Sequence, residues 1–180
     1  MLSNLRTLLI GIAISLAIAI TAALFLPSTW RVEVSSVIQA SPEEVHPFVS
    51  DFQQWGRWAQ WSEAEDPNVQ LESGMENDTP VQRVRVRGED RAVLVMDHRD
   101  AQGVQVSAKG RVQGVQTVRY EAMDPGRTRV RWVDEGRVDV PLVGGLIAWD
   151  IAGRLEEHHE TALRKLKALA ESVAAGADTD

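Results

Sequence analysis

Six short extended segments follow one another between residues 69 and 140, and this series limits the possible folds more than any other feature. Val84 and Val86 alternate with arginines, and Val130 and Trp132 alternate with arginines in the same way. A period of two predicts strands with one buried and one solvated face, as in antiparallel sheets. Turn residues separate the segments. The predicted strands are residues 69–73, 81–87, 92–98, 104–109, 116–123 and 128–140.

One further strand and a capped helix are predicted before this series. Residues 31–39 are rich in valine and isoleucine, which favours a strand. Ser41 and Glu44 have the spacing of a capping box, and Pro42 suits the first position of a helix. The sequence therefore predicts a sheet of about seven strands with a short helix after the first strand.

A long amphipathic helix is predicted over residues 146–174, after Pro141 and two glycines end the last strand. Residues 176–180 are predicted to be a disordered tail, so the folded domain spans residues 29–175. The order of elements predicts an α+β domain. The apolar stripe of the helix is predicted to consist of Leu155, His159, Ala162, Leu166, Leu169 and Val173.

An uncharged run precedes the domain. Residues 7–26 contain no charged side chain, and a helix of this length is about 30 Å long, enough to cross the apolar core of a bilayer. We therefore predict that residues 1–28 form one uncleaved transmembrane anchor. The alternatives are a cleaved signal peptide, for which Ala17-Ile18-Ala19 has the right residue types, and a buried core helix.

The orientation of this anchor follows from its flanking charge. Arg6 is the only charged residue among the first 30 and favours a cytoplasmic N-terminus, although Arg31 competes from the other flank. We expect a single-pass membrane protein whose domain lies outside the cytoplasm, which is the periplasm if the source is a Gram-negative bacterium.

Charge and composition exclude several classes of function. The net charge of −7 argues against nucleic acid as a partner, because that binding depends on lysine and arginine at phosphates. The absence of cysteine excludes disulfides, thiolate zinc sites and cysteine nucleophiles. His158 and His159 are neighbours on a helix and point in different directions, so no metal site is predicted there. No cofactor or catalytic residue is predicted.

The order of elements and the local sequence resemble the START-like (SRPBCC) superfamily, also called polyketide cyclase/dehydrase-like, and its membrane-anchored members in particular. Residues 34–61 are similar to the opening block of that superfamily, with a strand, a capped helix and clustered tryptophans. Residues 128–132 resemble its late strand, and residues 163–171 its terminal helix. Residues 76–114 depart most from the pattern.

The resemblance implies a helix-grip fold, in which a curved antiparallel sheet surrounds a long C-terminal helix. It also implies an apolar cavity between the sheet and the helix that binds lipids, quinones, polyketides or similar molecules. We assign six candidate ligand-binding residues, each of which has packing in the core or at the surface as its alternative. They are Trp58, Trp61, Tyr120, Trp132, Trp149 and His159.

Three hypotheses of function remain open from the sequence. The first is non-catalytic binding of a small hydrophobic ligand at a membrane surface. The second is a cyclase-like or hydratase-like enzyme that uses His159 or Tyr120 as an acid–base group. The third is an interaction module with a filled core and an unknown protein partner. We expect the first of these, and we expect no catalysis.

Overall fold

A seven-stranded antiparallel sheet is the largest element of the computed structural model, which describes residues 10–12, 14, 15, 21, 25–59, 68–110, 113–124 and 126–177. The helices are α1 (Pro42–Val49), α2 (Phe52–Trp58) and α3 (Gly144–Ala177). The strands are β1 (Thr29–Ile38), β2 (Val69–Glu76), β3 (Thr79–Val86), β4 (Glu89–Asp100), β5 (Gly103–Gly110), β6 (Gln113–Asp124) and β7 (Arg127–Arg137).

The strand order is β1-β7-β6-β5-β4-β3-β2, and every neighbouring pair is antiparallel. This architecture confirms the predicted helix-grip fold of seven strands and a long C-terminal helix. Arg137 pairs with both Thr29 of β1 and Gln113 of β6, whereas Ile38 pairs with Thr128. We call these two ends of the sheet the Thr29 end and the Ile38 end.

Two tight turns make the middle strands longer than the sequence predicts. Asn77 and Asp78 have φ angles of 48° and 64°, and Arg87 and Gly88 have φ angles of 54° and 78°. Positive φ at both central residues is typical of the type I′ turn, whose twist matches that of the flanking strands. The strands β2 and β3 therefore continue to within two residues of each other, in a part of the sequence where no turn is predicted.

The predicted cap of α1 is confirmed. The side chain of Ser41 accepts a hydrogen bond from Glu44 N at 3.4 Å, and Ser41 N donates to the Glu44 carboxylate at 2.6 Å. Pro42 occupies the first helical turn, where a missing N–H costs little. The helix buries Val45 and Val49 completely. This packing fixes α1 against the sheet at the Ile38 end.

An aromatic cluster fills much of the space between the sheet and α3. Trp55, Trp58 and Trp132 are almost completely buried, and the rings of Trp58 and Trp132 have centroids 5.4 Å apart. The indole N–H groups of Trp55 and Trp58 donate to backbone oxygens of α1 at 2.8 and 2.9 Å. The spacing of these two tryptophans therefore serves to pack α2 onto the core.

Helix α3 differs from its prediction at both ends and along its stripe. It begins at Gly144 and continues through Ala177, two residues into the predicted tail; residues 178–180 lie outside the described part. Val173 is 49% exposed. The average spacing of the predicted stripe is 3.6 residues, which is the repeat of an α-helix, so its period is correct. His159, Ala162 and Leu166 of the predicted stripe are buried, and so are Ala148, Leu163 and Ala170, which the prediction did not include.

The first turn of α3 lies directly against the chain that precedes β1. A side-chain carbon at Gly145 would lie 2.6 Å from Leu26 Cβ, closer than real carbons approach, and one at Gly144 would lie 3.3 Å from Ser28 Cβ. Val138 N also donates a hydrogen bond to Ser28 O at 2.8 Å. The two glycines therefore begin the helix, rather than only ending the strands, because no other residue allows this close approach.

The predicted anchor falls mostly outside the described residues. Of residues 7–26, the structure describes only 10–12, 14, 15, 21, 25 and 26. No helix in the described part of the chain is both long enough and apolar enough to span a bilayer. The membrane anchor and its orientation therefore stay predictions.

Gly136 makes room for the indole of Trp30, which lies opposite it on β1. A methyl group at this position would overlap the indole ring and the backbone of β6. We expect Gly136→Ala to lower the free energy of unfolding by about 1–3 kcal/mol, as overpacking of a core does. Gly74→Ala is the matched control, because no atom lies within 4 Å of its added carbon. Equal stabilities of the two variants in urea unfolding would contradict this packing.

Candidate functional site

A cavity of about 510 Å³ lies between α3 and the sheet, towards the Thr29 end. Its lining is mostly apolar and comes from β1, β3, β4, β5, β6, β7 and α3. Arg154, whose side chain is 73% exposed, belongs to this lining, so the cavity reaches solvent there. The lining residues are Trp30, Val84, Val86, Ala92, Leu94, Ala108, Gly114, Gln116, Asp134, Ile151, Arg154, Leu155 and His158.

Small side chains leave this space unfilled. Ala92, Ala108 and Gly114 occupy positions on β4, β5 and β6 that face α3 across the cavity. The aromatic cluster supplies bulk in the neighbouring part of the same interior, where Trp132 is completely buried. Protein interiors are close-packed unless the side chains are too small to fill them. The position of the cavity therefore follows from the distribution of large and small residues.

A buried carboxylate marks the polar part of the lining. Asp134 of β7 is only 3% exposed, and its Oδ1 accepts a hydrogen bond from Trp30 Nε1 at 2.8 Å. Burial raises the pKa of Asp134 to about 6, against the opposing effect of hydrogen bonds from Trp30 and Gln116. Desolvation disfavours the charged form of a carboxyl, whereas donors stabilise it. Asp134 therefore titrates close to neutral pH.

His159 lies beside Asp134 but does not form an ion pair with it. Its ring stacks on Trp132, with centroids 4.0 Å apart and planes inclined by 20°. Burial, reinforced by the neighbouring His158, lowers the pKa of His159 to about 3, so the ring is neutral at pH 7. The distance of 3.7 Å from His159 Nε2 to Asp134 Oδ2 is also too long for a hydrogen bond. Among the described residues, neither ring nitrogen has a hydrogen-bond partner.

Gln116 lines the cavity and contacts Asp134. We call Asp134, Trp30 and Gln116 together the polar group. It lies opposite Asp134 in the register of β6 and β7, and its side chain hydrogen-bonds the carboxylate. A carboxylate accepts hydrogen bonds, so the amide NH₂ faces Asp134 and the amide oxygen faces away. Gln116 Oε1 is buried and has no hydrogen-bond partner within the described part of the chain. One buried acceptor beside the cavity thus has unused capacity.

The six predicted site residues lie in different places. His159 adjoins the polar group of the cavity, although it is not part of the lining. Trp58 and Trp132 belong to the aromatic cluster and do not reach the cavity lining. Trp149 is 73% exposed on the outer side of α3, and Trp61 lies outside the described residues.

Tyr120 is held at the opposite end of the interior from the cavity. It is 2% exposed, and its hydroxyl forms a hydrogen bond with His46 Nδ1 of α1. Burial, with the nearby Asp100, raises the pKa of Tyr120 to about 12. Within the described structure the hydroxyl of Tyr120 bonds to His46, and neither nitrogen of His159 has a hydrogen-bond partner, so these two residues do not form an acid–base pair across the cavity.

The described residues offer no donor set for a metal ion. No group of three or more His, Cys, Asp or Glu side chains in that part of the chain is arranged to bind one. The rings of His158 and His159 have centroids 5.6 Å apart and planes inclined by 61°. Two ligands that diverge in this way do not share one ion.

None of the residues of the polar group was predicted from the sequence; they are Asp134, Gln116 and Trp30. A usable signal exists for the first two. Asp134 continues the inward-facing series of Val130 and Trp132 by two residues, and Gln116 precedes Val118 and Tyr120 by the same step. Polar residues at inward positions of a strand are rarely tolerated without partners, so both positions were detectable as candidates for a site. Trp30 gives no such signal, because it also suits a membrane interface.

A curved antiparallel sheet that holds a long helix over an apolar cavity defines the helix-grip class of proteins. The family described as "Polyketide cyclase / dehydrase and lipid transport" matches residues 29–171 of the sequence. The chain therefore belongs to this family, which confirms the resemblance at the level of the superfamily. No curated protein matches the sequence.

Several solved structures share the fold at low sequence identity. TTHA0849 from Thermus thermophilus is 18% identical with a TM-score of 0.62, and the match covers 80% of this chain and 99% of that one. The protein of unknown function SA2116 from Staphylococcus aureus is 14% identical with a TM-score of 0.63, over 82% and 96% of the two chains. Zhui aromatase/cyclase from Streptomyces sp. R1128 is 15% identical with a TM-score of 0.62, over 79% and 94%. At these identities the likeness shows the fold alone.

The raised pKa of Asp134 predicts a specific dependence of stability on pH. Its folded value of about 6 lies above its ordinary value of 3.8, so the stability that the protonated carboxyl contributes is lost as pH rises through 6. Asp134→Asn removes this loss. As pH rises from about 4 to about 7.5, we expect the free energy of unfolding of the variant to increase by about 2–3 kcal/mol relative to that of the wild type.

Urea unfolding of both proteins in detergent, followed by tryptophan fluorescence, measures this difference. His159 has a pKa shifted in the opposite direction, but its effect is common to both proteins and cancels in the comparison. A stability difference that stays constant with pH would show that Asp134 has an ordinary pKa.

Proposed function

We propose that this chain is a membrane-tethered binding protein for a small hydrophobic ligand, and that it is not an enzyme. The single observation that carries the proposal is the apolar cavity of about 510 Å³ under α3. Its volume lies within the range of ligand pockets, and a few polar groups in an apolar lining are typical of such sites. A cavity of this size also counts against an interaction module with a filled core.

The polar group favours a ligand with a hydrogen-bond donor at one end. Gln116 Oε1 and the Asp134 carboxylate are both acceptors, and a buried acceptor without a partner costs about 1–3 kcal/mol. When the Gln116 side chain turns its oxygen into the cavity, a hydroxyl group satisfies this acceptor while the apolar remainder of the molecule contacts the valines and alanines. We therefore propose a neutral, hydroxyl-bearing lipid or polyphenolic molecule rather than a ligand that only accepts hydrogen bonds.

Catalysis has less support than binding. The pKa values of Asp134 and His159 are shifted in opposite directions, as in many acid–base pairs. His159, however, is completely buried and absent from the cavity lining, so a ligand in the cavity does not touch it. A general base has to reach the proton that it removes, within hydrogen-bond distance or through one water.

The proposed tether fits the position of the cavity. The uncharged run of residues 7–26 ends two residues before Ser28, which is hydrogen-bonded to Val138 at the Thr29 end of the sheet. The cavity lining includes Trp30 and Gly114 from the same end. Anchoring through residues 7–26 would therefore hold the cavity near the bilayer, from which an apolar ligand can enter.

Filling the cavity tests the binding function directly. Ala108→Phe places a ring in the cavity, whereas Ala122→Phe adds the same ring at an exposed position of β6. We expect organic extracts of the purified full-length wild type and of Ala122→Phe to contain a molecule, identified by mass spectrometry, that Ala108→Phe lacks. The solvent-facing variant controls for lipid that adheres to the anchor. Equal amounts in all three extracts, or none in any, would refute ligand binding in the cavity.

The orientation of the ligand gives a second test, with a long-chain alcohol as the probe. If the hydroxyl group binds at Gln116, Gln116→Leu weakens binding by about tenfold, which corresponds to the loss of one buried hydrogen bond. Arg154→Gln alters only the exposed side of the lining and is expected to have little effect. Titration of the full-length proteins by native mass spectrometry measures both. Loss of binding in Arg154→Gln alone would mean that the polar end points outwards.

A further inference from the structure

Five large apolar side chains are exposed in one short stretch between β7 and the second turn of α3. We call this set the 140–149 patch, and its most exposed members are Leu142 at 72% and Trp149 at 73%. Val143, Leu146 and Trp149 follow one another at steps of three and lie on one side of the helix start. The 140–149 patch thus consists of Val140, Leu142, Val143, Leu146 and Trp149. Clustered apolar exposure of this kind marks an interaction surface, whereas single exposed residues do not.

The backbone holds this stretch in a conformation that favours exposure of Leu142. Leu142 has a φ angle of 69°, in the left-handed region where leucine is rare and asparagine or glycine is common. Hydrogen bonds from Val143 N to Pro141 O at 2.8 Å and from Gly144 N to Val140 O at 2.9 Å fix the turn. A polar residue would suit both the backbone and the solvent better, so an exposed leucine here indicates a binding role.

The end of the uncharged run lies against the middle of the patch. Leu26, the last residue of that run, contacts Gly145 so closely that no side chain fits there. A bilayer crossed by residues 7–26 would therefore have its surface at the 140–149 patch. Tryptophan and leucine at such a level are typical of segments that enter the interfacial region of a membrane.

The charges around the patch favour apolar insertion over electrostatic binding. Asp139 is paired with Arg137 at 2.8 Å, and Asp150 is paired with Arg154. The patch thus has no surplus of positive charge from these residues with which to select anionic lipid. Neutral phosphatidylcholine is therefore the appropriate probe.

We propose that the 140–149 patch inserts into the bilayer surface next to the anchor and holds the Thr29 end of the domain against the membrane. The inference rests on the tether of the proposed function and adds a second, independent membrane contact. It gives the domain a second point of attachment, which supports the orientation that the anchor transmits through Leu26 and Ser28.

The absence of native cysteine allows a single label to report on the patch. The full-length chain with Val143→Cys carries an environment-sensitive fluorophore in phosphatidylcholine vesicles, and Ala101→Cys carries it at the Ile38 end of the sheet as a control. We expect lipid-borne nitroxide to quench the label at position 143 by about twofold or more and to leave position 101 unchanged. Leu142→Asn should weaken this quenching without loss of thermal stability, whereas Met75→Asn, at an exposed apolar position near the Ile38 end, should not alter it.

Failure of the tether and failure of the patch give different results. If the protein does not float with vesicles in a density gradient, the anchor of the proposed function is wrong. If it floats and the label at position 143 is accessible to water, only the patch proposal is wrong. A label that is shielded from water but not quenched by lipid would show that residues 7–26 or a second protein chain cover the patch, and would also overturn the proposal.

Discussion

The distribution of large and small side chains beneath α3 determines the rest of this structure. A long helix that crosses a curved sheet encloses more volume than one layer of ordinary side chains fills, and proteins rarely leave such volume empty. Three tryptophans fill one part of it, whereas alanines and a glycine on β4, β5 and β6 leave another part open. The core and the cavity are therefore two parts of one interior, and the same strands supply both.

Burial of the polar group costs free energy, so its presence has to be explained. A carboxylate at 3% exposure is disfavoured by desolvation, and its donors Trp30 and Gln116 only partly offset this effect. A leucine at position 134 would line the cavity without that cost. Asp134, the unpartnered Gln116 oxygen and the uncharged His159 lie in one place, and folding stability alone does not account for them. It is consistent with recognition of a polar group on a ligand.

Most of the fold, but less of the site, could be predicted from the sequence. Alternation in β3 and β7 and the Ser41 cap are local patterns, and each predicts its element correctly. Gly144 and Gly145 were expected only to end the strands, whereas they begin α3. The Asn77-Asp78 turn was missed because its conformation depends on strand pairing as well as on residue type. The site was missed for a different reason: alternation indicates that Trp132 and Asp134 face inwards, but not which inward position is filled and which borders the cavity. That distinction depends on side chains from five other strands and from α3.

The connection between the uncharged run and the domain has consequences for how an anchor would act. Long, flexible linkers let a domain sample many orientations, whereas here only Pro27 and Ser28 separate Leu26 from β1. Leu26 packs on Gly145, and Ser28 bonds to Val138, so the chain is fixed to the domain before the first strand begins. An anchor joined in this way transmits its orientation to the sheet. The end of the domain that contains the cavity is then the end that a membrane would meet, and this follows from backbone contacts rather than from the chemistry of any ligand.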